Sequence, residues 1–68
     1  MRTGIVYTET VIHLAAEAFA QEAPFQTAIV TLDGGGRVTG RILGERVAIG
    51  DRVAEVEFRG GVPFFRKT

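Results

Sequence analysis

Residues 24–53 constrain the fold more than any other part of this 68-residue chain. Two runs rich in β-branched residues, Phe25–Asp33 and Arg37–Leu43, flank the glycine triplet 34–36. Glycine reaches the positive φ angles that a tight hairpin turn needs. The period-two alternation of apolar residues on both sides of the turn therefore predicts an antiparallel β-hairpin with one buried face.

Alternation also predicts which side chains of this hairpin point inward. The inward set is Gln26, Ala28, Val30 and Leu32 on the first run, and Val38, Gly40 and Ile42 on the second. A glycine inside a strand is typical of a sharp bend, because the missing side chain lets another part of the backbone approach. We therefore expect the sheet to curve strongly at Gly40.

Three further segments are predicted to be strands: Thr3–His13, Arg52–Arg59 and Val62–Arg66. Apolar residues fall on both faces of the first of them, which predicts a bulge or bend near Thr8–Thr10. Pro63 has no N–H to donate, so the last strand is expected to lie partly at an edge or to begin there.

The connections add two predictions. Leu14–Ala23 is rich in Ala, Glu and Gln and ends at Pro24, which predicts a short helical turn anchored by Phe19. In the connection between the third and fourth strands, Val47 and Ile49 are expected to plug one end of a barrel. Five strands with glycine-rich corners predict an all-β, partly open Greek-key barrel of the OB type, occupying residues 1–68 as one domain.

Charge and composition exclude several function classes. The chain has eight basic residues, eight acidic residues and no cysteine, so neither a disulfide nor a zinc–thiolate site is possible within it. Seven of the eight bases lie in residues 35–68, and six of those seven are arginines. Nucleic-acid modules normally carry a clear basic excess, so zero net charge counts against that class.

The residues predict no enzyme. Serine and cysteine are absent, which leaves a threonine or Tyr7 as nucleophile and His13 as the one imidazole base. We interpret His13 as a rim residue that hydrogen-bonds locally. The glycine triplet is followed by a strand and by no Lys-Thr pair, so it is a turn and not a phosphate loop.

Glu55 and Glu57 are expected to share one solvated face of the fourth strand, opposite Arg37 or Arg41 across the sheet. Near the C-terminus, phenylalanines alternate with bases. Strand alternation sends Phe64 and Phe65 to opposite sides, which predicts that one of the two is exposed. No targeting segment and no membrane-length apolar run is visible, so a cytoplasmic location is the expectation.

Several segments in order resemble the OB-fold proteins of the domain of unknown function family thirty-five. They are Gly4–Tyr7, Thr10–His13, Pro24–Phe25, Val30–Gly34, Gly40–Ile42, Val47–Val53 and Phe64–Arg66. The resemblance implies a non-catalytic accessory subunit of a thiolase-like or other acyl-CoA enzyme, with CoA as a candidate ligand. In that family the barrel usually follows a zinc ribbon, and since this chain has no cysteine, zinc binding does not carry over.

The resemblance and the aromatic–basic pattern together give the candidate contact residues: Tyr7, His13, Phe19, Phe25, Arg37, Arg41, Phe58, Phe64 and Arg66. Two alternatives stay open at this point. One is a single-stranded nucleic-acid binder that uses the arginines and phenylalanines of this set. The other is a barrel that self-associates through an exposed strand edge.

Overall fold

The computed structural model describes residues 2–12 and 25–68. Five strands lie in those ranges: β1 (Thr3–Ile12), β2 (Phe25–Leu32), β3 (Arg37–Ile42), β4 (Arg52–Arg59) and β5 (Val62–Lys67). They close into a barrel in the order β1-β2-β3-β5-β4. The pairing of β3 with β5 is parallel and the other four pairings are antiparallel. The all-β, five-stranded OB-like barrel predicted from the sequence is confirmed.

Two short seams close the ring. Thr3–Ile5 of β1 pairs with Arg52–Ala54 of β4, and Arg41 and Ile42 of β3 pair with Phe64 and Phe65 of β5. Beyond those seams, the end of β4 and the start of β5 pair only with each other among the described residues. We call this two-stranded projection, residues 56–63, the β4–β5 arm.

The glycine triplet forms the predicted hairpin turn. Gly35 and Gly36 have φ angles of 107° and 82°, and the Leu32 N–H donates to the Gly36 carbonyl over 2.9 Å. The flanking strands end within one residue of the predicted bounds, at Leu32 and Ile42. Local turn chemistry therefore fixes the register of β2 against β3.

The predicted inward faces of β2 and β3 form much of the core. The buried cluster is Val6, Ala28, Val30, Ile42, Val47, Val53 and Phe65, with Leu32 and Val38 packed against it. Gly40 lies where β5 crosses β3. A Cβ atom there would lie 2.6 Å from the Pro63 carbonyl oxygen and 2.8 Å from a ring carbon of Phe65, so only glycine fits without a shift.

The bulge in β1 lies one residue earlier than predicted. Val6 pairs with Val30, and the next paired residue is Thr8, opposite Ile29. Tyr7 is therefore the extra residue, so the bulge predicted near Thr8–Thr10 is present and begins one residue before that range. After the bulge, Glu9 lies opposite the buried Ala28 and so takes an inward position.

The expected plug of the barrel end is half right. Val47 is buried, but Ile49 is 67% exposed, so its assignment to the plug was wrong. The Ala48 N–H donates to the Asp51 carboxylate over 2.8 Å, and the Asp51 N–H donates back to the Ala48 carbonyl over 3.0 Å. This closed turn places Ile49 at its tip.

A buried glutamine closes the barrel end beside Val47. The Gln26 side chain accepts from the Val47 N–H over 2.8 Å and donates to the Val47 carbonyl over 2.7 Å. Its amide nitrogen also donates to Glu9 over 3.0 Å. Because the buried amide is fully paired, it fixes the position of the loop after β3 without a penalty for an unsatisfied group.

The predicted helical turn over Leu14–Ala23, its anchor Phe19, and His13 all lie outside the described residues. Within 2–12 and 25–68, the chain contains no helix of the length and apolarity that a membrane crossing requires.

Candidate functional surface

The predicted contact residues that the structure describes do not converge on one pocket. They occupy separate places on the outside of the barrel. Tyr7 and Arg37 form one pair, and Phe25, Arg41 and Phe64 form a second group. Arg66 of β5 lies beside Gly44 at the edge of the second group, and Phe58 lies apart from both on β4.

Arg37 reaches across β2 to the bulge residue of β1. Its guanidinium lies 4.0 Å from the centre of the Tyr7 ring, and its Nε donates to the Thr31 hydroxyl over 3.2 Å. Register explains the contact, because Arg37 pairs with Thr31 and Thr31 pairs with Ile5, two residues before Tyr7. One face of the half-exposed tyrosine is thus covered by a cation within the same chain.

Four side chains form an alternating row across the barrel, which we call the aromatic–arginine array: Phe25, Arg41, Phe64 and Arg59. The Arg41 guanidinium lies 4.1 Å from the Phe25 ring centre and 5.5 Å from that of Phe64. The Arg59 guanidinium lies 4.9 Å from the same Phe64 ring. The row runs over β2, β3, β5 and β4, so it crosses the parallel seam and holds it from outside.

The array explains a wrong prediction about the neighbouring phenylalanines. Phe64 is 4% exposed and Phe65 is 0% exposed, so neither is the exposed one expected. Phe65 belongs to the core cluster, whereas Phe64 lies on the other face beneath Arg41 and Arg59. A ring covered by two guanidiniums is not available to stack on a nucleobase.

The two acids of β4 also differ from their prediction. The register shifts between Glu55 and Glu57, so Glu55 lies opposite Phe65 and Glu57 lies opposite Phe64. The acids therefore take opposite faces. β4 pairs with β1 and β5, so neither acid lies across the sheet from Arg37 or Arg41 as expected.

Each of these acids is held by its own arginine. Arg2 donates from two nitrogens to Glu55 over 2.9 and 3.0 Å, and Arg59 lies 3.0 Å from Glu57. The hydrogen bonds from Arg2 lower the pKa of Glu55 below its ordinary value and raise the pKa of Arg2. A carboxylate kept ionised in this way is a poor general acid at neutral pH, and its geometry is that of a strand-to-strand clasp.

An arginine-lined cleft lies where β3 ends. Its volume is about 290 Å³, and its lining includes Phe25, Arg41, Gly44 and Arg46. Arg66 packs beside it, since a Cβ atom on Gly44 would lie 2.6 Å from the Arg66 Nη1 atom. Arg46 was not among the predicted contact residues. Guanidinium forks at such a cleft match the geometry of a phosphate or carboxylate.

The exposed apolar residues were mostly missed at the sequence level. Phe58 is 63% exposed, as a contact residue should be, but Ile49, Val56 and Val62 are also exposed at 67%, 40% and 36%. Val56 is the bulge residue of β4. Simple alternation could not predict that Val56 is exposed, because a bulge changes the face of the sheet on which each following residue lies.

Within residues 2–12 and 25–68 the chain forms no cluster of three or more His, Asp or Glu side chains that could hold a metal ion. The order of the strands in the closed barrel defines the class of protein: an OB-fold domain.

Comparison with known proteins gives the family. Residues 1–59 match the family model described as "ChsH2, C-terminal OB-fold domain", and the chain belongs to that family. A "DUF35 domain-containing scaffold protein" of Methanocaldococcus jannaschii is 43% identical over 56 residues, which cover 78% of this chain and 40% of the relative. The resemblance to the domain of unknown function family thirty-five is thereby confirmed.

A solved structure agrees with both results. The structure named "Ltp2-ChsH2(DUF35) aldolase" contains a chain that superposes with a TM-score of 0.75 and 31% sequence identity. The match covers 97% of this chain and 57% of the other one. The chain described here thus spans about half the length of the relatives it matches.

Proposed function

We propose that this chain is a non-catalytic scaffold module that binds a thiolase-like subunit of an acyl-CoA enzyme. The observation that carries the proposal is its 43% identity to a relative named as a scaffold protein, over 78% of this chain. The name of the solved relative, which joins a ChsH2 chain with Ltp2 and the word aldolase, supports an enzyme subunit as the partner. In this proposal the chemistry belongs to the partner, and the location of the complex is the cytoplasm.

The surface is consistent with a scaffold. The acids of β4 are paired with arginines of the same chain, whereas Phe58 on the same strand is a large apolar side chain that is 63% exposed. Large exposed apolar side chains are the usual anchors of protein interfaces. The array and the Gln26 pairing join neighbouring elements of the barrel through side-chain contacts.

Contact with CoA is the finer part of the proposal. The cleft lined by Arg41 and Arg46 offers guanidinium groups beside a glycine loop, and CoA carries phosphates that such groups bind. We expect a CoA titration followed by ¹⁵N NMR to shift the amides of residues 43–46, and the R46Q variant to reduce those shifts. Unchanged spectra at millimolar CoA would contradict this part alone.

Single-stranded nucleic-acid binding is the weaker alternative. The net charge is zero, and the predicted stacking ring, Phe64, lies under Arg41 and Arg59. Fluorescence anisotropy with a labelled oligonucleotide tests it. A protein that makes 6–10 phosphate contacts loses about 10³–10⁵ in affinity between 50 and 200 mM salt, so tight and strongly salt-dependent binding would favour this alternative.

The main test uses the purified native chain and each thiolase-like acyl-CoA enzyme encoded by the same organism. The two proteins are mixed, and the complex is measured by size-exclusion chromatography with light scattering and by calorimetry. A defined stoichiometric complex with one of these enzymes is the expected result. Absence of a complex with all of them would overturn the proposed function, and the enzyme activity of the chain alone should stay at background.

A further inference from the structure

In the described part of the chain, the strand pairing of the β4–β5 arm is limited to its own two strands. Its strands, Val56–Arg59 and the first residues of β5, pair with each other and with no third strand among the described residues. An isolated two-stranded hairpin is only marginally stable in water. A projection of this kind gains stability when another surface covers it.

Exposed apolar residues concentrate on this arm. Six large apolar side chains of the described residues are exposed, and three of them, Val56, Phe58 and Val62, belong to the eight residues of the arm. Phe58 leads them at 63% exposed. Exposed aliphatic and aromatic groups gathered on one projection mark a contact surface more strongly than the same groups scattered singly.

The opposite side of the arm is fastened to the barrel. Arg59 of the arm lies 4.9 Å from the centre of the Phe64 ring, which β3 and Arg41 hold in place. Pro63 packs with its carbonyl oxygen directly over Gly40 of β3. The arm therefore projects in a defined direction, and binding would lose little conformational entropy there.

The arm fits a different protein better than it fits a second copy of this chain. The clefts beside β2 and β3 mix polar with apolar side chains: Arg41 and Arg46 lie beside Phe25 in one, and Glu9 and Thr27 lie beside Ile29 in the other. A phenyl ring entering either would desolvate polar groups without pairing them.

The small area of the exposed apolar patch limits the role that the arm can have in an interface. A phenylalanine buries 150–250 Å² when covered, so the exposed part of Phe58 contributes about 100–150 Å². A stable interface needs about 800 Å² from each partner. The arm is therefore too small to hold a dimer alone and suits the role of one anchor within a larger contact.

We propose that the β4–β5 arm inserts into an apolar pocket of the enzyme subunit, with Phe58 as its anchor. This inference rests on the proposed function, because it takes the thiolase-like subunit as the partner. It adds the surface of the barrel that makes the contact and the chemistry of the pocket that receives it.

The test replaces Phe58 by aspartate and measures the dissociation constant with the enzyme identified above by isothermal titration calorimetry. The matched control is I49D, which places the same charge on a similarly exposed apolar side chain at the tip of the turn between β3 and β4. We expect F58D to weaken binding at least about 100-fold and I49D less than about threefold. Because both side chains are exposed, circular dichroism and the thermal midpoint should show both variants folded, and F58A provides a neutral second variant with about a tenfold loss.

The possible outcomes distinguish failure of the assignment to the arm from failure of the proposed function. If the native chain binds the enzyme and both Phe58 variants bind within threefold of it, the arm is not the anchor and the proposed function stands. Equal losses in F58D and I49D, or a loss in I49D alone, likewise overturn the assignment to the arm. If the native chain binds none of the enzymes, the proposed function fails and this inference fails with it.

Discussion

Phe64 and Phe65 follow each other in β5 and are almost equally buried, at 4% and 0% exposed, but they are buried in different surroundings. Phe65 lies inside the barrel, among the side chains of Val6, Val30 and Val53. Phe64 lies on the outer face, where the guanidiniums of Arg41 and Arg59 cover its ring. The same residue type is shielded from water by hydrocarbon on one side of the sheet and by charge on the other.

The difference separates two determinants of burial. Strand alternation decides the face of the sheet on which a side chain lies. Whether that side chain is then exposed depends on neighbours from other strands, and long arginines can cover apolar surface while their charged ends stay in water. Phe58 differs from both phenylalanines of β5, because nothing in the described part of the chain covers it. It lies in the arm, where the described residues place no third strand, and it is exposed.

The largest effect is expected inside the barrel. Phe-to-Ala truncation in a core destabilises proteins by about 3–5 kcal/mol, and a domain of this size rarely has more than about 3–5 kcal/mol in total. We therefore expect F65A to be largely unfolded at 25 °C, as measured by circular dichroism and by urea denaturation. F65L keeps most of the volume and should remain folded. A cooperative, near-native unfolding transition in F65A would contradict the central position of Phe65.

A smaller effect is expected on the outer face. F64A loses the ring from a covered but peripheral site, and we expect a destabilisation of about 1–3 kcal/mol in urea denaturation. F64L keeps an apolar group and removes the ring, so its loss reports the contacts with the arginines, which are worth about 0.5–2 kcal/mol.

A double-mutant cycle isolates that contact. F64L and R59Q, alone and together, should show a coupling free energy of about 0.5–1 kcal/mol, because each change removes the same ring–cation contact. F65L and R59Q should show none, and they serve as the matched control on the other face. Equal coupling in both cycles would mean that Arg59 acts on the whole of β5 and not on the Phe64 ring.

Most of the barrel was predictable because its signals are local. The glycine triplet and the alternation of β2 and β3 gave strand ends within one residue and the correct inward faces. The need for glycine at position 40 was also predicted from the sequence, but the cause is a long-range contact. The carbonyl oxygen of Pro63 occupies the space that a side chain would need.

The errors share a physical cause. The bulges at Tyr7 and Val56 reverse the face of every later residue in their strands. The alternation of β1 indicated its bulge only to within a residue, and that of β4 gave no sign of one. The cover on Phe64 depends on the parallel pairing of Arg41 with Phe64, which joins residues far apart in sequence. Of the candidate surface, therefore, the residue types could be named from the sequence, but their grouping into an array and an arm could not.

The smallest effect is expected at Glu55, which lies on the same face of the sheet as Phe65, whereas Glu57 lies on the face of Phe64. Glu55, opposite Phe65, receives two hydrogen bonds from Arg2, and these lower its pKa in the folded state. A lowered folded-state pKa means that the stabilisation is complete at pH values above the unfolded-state pKa near 4.5 and is lost as the pH falls through the folded-state value.

We therefore expect E55Q to lower the thermal midpoint by a few degrees at most at pH 7. This deficit should shrink as the pH falls below the unfolded-state pKa and through the lower folded-state pKa of Glu55, where the native chain becomes protonated at this residue. R2Q removes the same clasp from the other side and should show the same deficit and the same loss of it in acid. The double variant should add nothing beyond either single one, because both changes break one contact. A deficit that persists unchanged at low pH would mean that Glu55 supports the seam of β1 and β4 through packing and not through its charge.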